Sequence, residues 1–74
     1  MEQEIIKAIN LFDDVGVWAI TDIMILDYLT KQKNLTVTKD EILNSLDDMA
    51  AADMIVWDAT RSYVRPVSYI KNLT

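Results

Sequence analysis

The chain predicts a mainly helical α+β fold, three helices followed by a two-stranded β-hairpin, in a single domain spanning residues 1–74. Three observations carry this. Apolar residues recur at helical spacing in three successive segments. Two short β-prone runs, Met54-Ile55-Val56-Trp57 and Tyr63-Val64-Arg65, flank the polar stretch Asp58-Ala59-Thr60-Arg61-Ser62 and read as a hairpin. Finally, 51% of the residues are hydrophobic while glycine and proline occur once each, a composition that is ordered and poor in loops.

The first helix is expected over about residues 2–14. Ile5, Ile6, Ala8, Ile9, Leu11 and Phe12 cover roughly 220° of a helical wheel, with Lys7, Asn10 and Asp14 on the remainder. A helix resting on one core needs a stripe only somewhat wider than about 100°. The surplus predicts a homodimer interface formed by Ile5, Ile6, Ile9, Leu11 and Phe12, since association is a usual supplement for a small core. Gly16 ends this helix, and Val15–Ile20 reads as a short extended link or minimal strand. Thr21 caps a second helix over about 22–33, with Asp22 favourably placed at its positive end and Lys31 and Lys33 at its negative end.

The third helix, about 38–52, opens on a capping box formed by Thr38 and Glu41. Ile42, Leu43, Leu46, Met49 and Ala50 supply its buried side. The hairpin follows over about 54–67. Pro66 lacks an N–H and therefore belongs at a strand end or on an edge.

From about Ile20 to Tyr69 this order of elements and the wording TKDEILNSLDDMAAADMIVWDATRSYVRPV resemble the winged-helix family. The resemblance covers about two thirds of the chain and rests on pattern, without a diagnostic motif. It implies a third helix that enters the major groove of DNA and a wing that touches phosphates or a minor groove. Two departures stand out: Asp53 occupies the helix end where the family often has glycine, and the second helix is longer than usual.

The charges argue against the implied function. The chain carries a net charge of −5, and the outward side of the third helix is Asp40, Glu41, Asn44, Ser45, Asp47 and Asp48. Asn44 and Ser45 could bond base edges, but the carboxylates beside them would be repelled by phosphate, on which affinity depends heavily. The ordinary account of such a face is a solvated helix side opposite an apolar stripe. As a functional surface it suits a basic protein partner, and charge matching of that kind makes association fast and salt-sensitive. The expected function is therefore a small non-catalytic regulator or inhibitor acting by protein binding, of the kind carried by phages and other mobile elements. The alternative is a dimeric regulator binding double-stranded DNA through Lys31, Lys33, Lys39, Asn44, Ser45, Arg61, Tyr63 and Arg65. Five of the seven basic residues, Lys31, Lys33, Lys39, Arg61 and Arg65, fall in the inter-helix turn and the hairpin region.

Catalysis is not expected. With no histidine or cysteine there is no ordinary proton shuttle, thiol nucleophile, disulfide or thiolate metal site, and Ser45, Ser62 and Ser68 have no histidine partner. Adjacent carboxylates such as Asp13-Asp14 and Asp47-Asp48 diverge by about 100° on a helix and do not converge on one ion. No cofactor, metal or small-molecule ligand is expected. Met1-Glu2-Gln3-Glu4 lacks the layout of a secretory signal, and Val15–Ile20 is too short to span a bilayer. No membrane partner and a cytoplasmic location follow as expectations. The Asn-Leu-Thr triplets at Asn34 and Asn72 are read as chance matches to a glycosylation acceptor.

Overall fold

The structure, a computed structural model, describes residues 2–67. Ser68, Tyr69 and the triplet at Asn72 lie outside the described residues. Helix α1 runs Glu2–Asp14, α2 Asp22–Lys31 and α3 Lys39–Ala51; the strands β1, Ile55–Trp57, and β2, Val64–Pro66, pair antiparallel. The chain is thus a mainly helical α+β protein with three helices and a hairpin.

Each helix begins or ends where its sequence supplies a partner for unpaired backbone groups. Thr21 accepts a hydrogen bond from the Met24 N–H (3.1 Å) at the start of α2. At the start of α3 both halves of the capping box are made: Thr38 Oγ1 accepts from the Glu41 N–H at 3.2 Å, and the Glu41 carboxylate accepts from the Thr38 N–H at 3.0 Å.

Helices α1 and α3 end in the same closure. The Gly16 N–H donates to the Asp13 carbonyl and the Val17 N–H to that of Phe12. In α3 the Asp53 N–H donates to the Ala50 carbonyl and the Met54 N–H to that of Met49. These paired bonds form a Schellman motif, which needs a left-handed residue directly after the C-cap, in second place beyond the helix. Gly16 (φ 92°) fills that place after α1 and Asp53 (φ 58°) after α3. Helix α2 stops at Lys31, with Gln32 as its C-cap, two residues short of the expected end at 33. Asn34 (φ 54°) then turns left-handed, and the Leu35 N–H reaches back to the Leu29 carbonyl at 3.0 Å.

The core is formed by Ile5, Ile6, Ala8 and Ile9 of α1, Ile20, Ile25 and Leu29, Ile42, Leu46 and Met49 of α3, and Ile55 and Val64 of the hairpin. The broad apolar side of α1 is explained by its neighbours, for α1 packs against α2, α3 and β2 together. This corrects the dimer interface expected from sequence. Ile5, Ile6 and Ile9 are wholly enclosed by their own chain and offer no surface to a second copy. Phe12 packs on the core and lies edge-on to Tyr28, with ring centroids 5.8 Å apart. Of the five residues only Leu11 is exposed, at 41%. Asn10, placed on the polar side from sequence, is 4% exposed. The buried arc from Ala8 to Asn10 spans roughly 200°, close to the expected width but rotated away from Leu11.

The hairpin is joined to the link between α1 and α2 by one bridge, Ile20 to Val64, where the Val64 N–H donates to the Ile20 carbonyl at 2.8 Å. Successive N–H groups on one edge of a strand come from alternate residues. The next donor on this edge would belong to Pro66, which has none. Sheet pairing with the link stops there, and Pro66 is the last residue of β2, at the strand end its chemistry requires.

Candidate functional site

The outward side of α3 is set by the apolar pattern beneath it. With Ile42, Leu46 and Met49 buried, Asp40, Glu41, Asn44, Asp47 and Asp48 are exposed and Ser45 is half-buried at the margin. The five exposed residues lie within roughly 120° of arc, so they form one face.

The carboxylates on this face are not equivalent. Glu41 is held by the capping box. Asp47 faces the hairpin and pairs with Arg61, whose Nη2 lies 2.5 Å from its Oδ1. The Arg61 guanidinium also sits 4.6 Å from the centre of the Trp57 ring, an arrangement in which the ring quadrupole attracts the cation. The buried Trp57 Nε1–H has no acceptor among the described residues. Asp40 and Asp48 make no ion pair among the described residues. They stand eight residues apart, roughly 12 Å along the helix axis, so each would meet a separate cation.

Arg61 takes this position because of the loop that carries it. The Asp58 carboxylate accepts from the N–H groups of Thr60 (3.1 Å), Ser62 and Tyr63 (3.1 Å) and from the Thr60 hydroxyl. The Arg61 N–H donates to the Asp58 carbonyl at 3.0 Å, and Arg61 itself adopts φ 57°. The Thr60 hydroxyl first, then the three backbone donors, stabilise the ionised carboxyl and push its pKa from 3.8 down to about 2. Sequence reading recognised a polar tip but missed Asp58 as its organiser. The available signal was an aspartate followed two residues later by a threonine, the local pattern of an Asx turn.

The basic residues that the DNA-binding alternative groups together each have their own surroundings. Lys31 pairs with Asp27 one turn earlier in α2 at 2.8 Å, and the hydrogen bond and charge of Asp27 raise the lysine pKa. Lys33 lies 5.9 Å from the centre of the Tyr28 ring. Lys39 approaches Asp22 at 3.9 Å, which puts it by the opposite end of α2, roughly 13 Å along that helix from Lys31. Arg61 folds back on α3, while Arg65 and the half-buried Tyr63 sit on the hairpin. No group of three or more acidic, histidine or cysteine side chains among the described residues could hold a metal, and none of these residues lines a pocket. No helix of the described residues is long and apolar enough to cross a membrane.

Comparison of the chain with protein-family models, curated proteins and solved structures finds no match. The order of three helices and a hairpin is compatible with a winged-helix-like shape, and the reading of function rests on the residues themselves.

Proposed function

We propose that the protein is a non-catalytic, winged-helix-like regulatory or inhibitory module that binds another protein through the acidic face of α3. The observation that carries this reading is the direction of Arg61. It is the hairpin-tip cation best placed to meet phosphate, yet it lies against Asp47 and Trp57, and its charge is offset within the molecule. The α3 face around it stays anionic, with Asp40 and Asp48 available and Asn44 between them in sequence. Two carboxylates roughly two helical turns apart fit a partner surface with separated lysines or arginines. Contacts of this type owe much of their on-rate to long-range attraction and weaken with salt.

Fluorescence anisotropy with random and genomic DNA duplexes at low salt tests the reading against its rival. No binding is expected even under these conditions, where phosphate attraction is strongest, because this face is anionic and repels phosphate. Micromolar or tighter binding that is lost in Arg61→Ala or Arg65→Ala would overturn the proposal in favour of a DNA-binding regulator. The positive arm uses a helical peptide with lysines eight residues apart, which should bind more weakly as salt is raised and lose affinity at least tenfold to the Asp40→Lys/Asp48→Lys variant.

A further inference from the structure

The outward face of the hairpin gathers side chains that the acidic helix does not use. Val56 stands opposite Arg65 in the ladder, and the Asp58 N–H donating to the Tyr63 carbonyl extends the pairing by a step. Side chains two residues apart on a strand share a face. Tyr63 and Arg65 therefore lie on the same side as Val56, opposite the buried Ile55 and Val64. Trp18, from the link before α2, lies edge-on against Tyr63 with centroids 5.5 Å apart and planes at 84°. Trp18 is 62% exposed and Val56 57% exposed. Arg65 is exposed and makes no ion pair among the described residues, whereas Lys31, Lys39 and Arg61 each face a carboxylate.

We propose that this face is a second interaction surface, which takes an acidic, apolar peptide segment of another protein. Tryptophan, tyrosine and arginine are the residues that concentrate binding energy at protein interfaces. Here Trp18 and Val56 offer apolar area and Arg65 offers a planar fork of donors matched to a carboxylate. The occupant is thus an aliphatic or aromatic side chain over Trp18 and Val56, with an aspartate or glutamate beside it on Arg65. Nucleic acid fits less well, because a run of phosphates needs several cations for affinity, whereas among the described residues of this face Arg65 alone carries positive charge, enough to meet one carboxylate. A second copy also fits less well. A two-fold contact sets the same patch against itself, so the two Arg65 charges would meet, while the nearby Asp58 carboxylate is engaged inside its own loop.

Selection of a displayed random nine-residue peptide library against the folded full chain tests this. Enriched peptides are expected to combine an acidic residue with a neighbouring aromatic or aliphatic one. Their affinity should fall at least tenfold in Arg65→Glu and in Trp18→Ala, each checked for folding by circular dichroism, and persist in the Asp40→Lys/Asp48→Lys variant. Repeating the selection on Arg65→Glu should enrich lysine or arginine in place of the acid, an exchange that a purely structural role of Arg65 would not produce. Absence of enrichment, enrichment of basic peptides by the unaltered protein, or binding indifferent to Arg65 and Trp18 would overturn the proposal. So would a concentration-dependent doubling of mass abolished by Arg65→Glu, which would make a second copy the occupant.

Discussion

Asp58 does more for the hairpin than its place in a polar loop suggests. A carboxylate that accepts from three backbone N–H groups and a hydroxyl fixes the path of the chain across the tip, and through it the position of Arg61. Its folded pKa of about 2 lies below the ordinary 3.8. A depressed acid contributes its stability above the unfolded value and loses it as pH falls through the folded one. The loop should be intact at pH 5 and above, weaken below about pH 4 and lose this support through pH 2. The amide resonances of Ser62 and Tyr63, followed by NMR, should shift over that range and be displaced already at pH 7 in Asp58→Ala. Arg61→Ala removes an exposed ion pair and should change global stability by less than about 1 kcal/mol, as read by urea denaturation.

At the scale of elements, helix ends separate what was legible in the sequence from what was not. The start of α3 was fully legible, because Thr38 and Glu41 carry the capping chemistry in their own side chains. Thr38→Ala should cost about 1 kcal/mol in thermal or urea unfolding. The end of α2 was less legible. Its cations at 31 and 33 suit a helix terminus equally well inside or just beyond it, and the stop depends on the left-handed turn at Asn34, which propensity does not announce. The end of α3 is instructive because glycine is missing. Asp53 accepts a left-handed backbone that suits glycine better, and it places a negative charge at the negative end of the helix. Relief of both, less the extra freedom that glycine brings to the unfolded chain, should make Asp53→Gly more stable by roughly 0.5–1 kcal/mol. An unchanged or lowered urea midpoint would contradict this.

At the scale of the whole molecule, the wide apolar arc of α1 shows the limit of a single helical wheel. The arc was visible in Ile5, Ile6 and Ile9, but a wheel does not reveal how many neighbours share it. Three elements converge on α1, so a surplus that suggested a dimer is consumed within one chain. Ile9→Asp would bury an unpaired charge. It should abolish cooperative unfolding in circular dichroism instead of yielding a folded monomer, the outcome expected had Ile9 lain at an interface. The candidate site follows the same pattern. Which residues of α3 face outwards was readable from its apolar period, but the engagement of Asp47 and the scattering of the cations were not, since these arise from contacts between elements distant in sequence.

The missing donor of Pro66 bears on the hairpin's outward face. With a single bridge at Ile20, the segment carrying Trp18 is moored to the sheet at one point, while Tyr63 and Arg65 stand on a paired strand. The backbone of one wall of the patch is therefore held by a ladder and that of the other by one bridge. The segment beneath the indole can shift to accommodate occupants of different bulk, whereas the backbone that carries the Arg65 guanidinium is fixed by the ladder. A residue with an N–H at position 66 would allow the ladder to run on towards Trp18, tightening the sheet and narrowing the range of side chains the patch could accept.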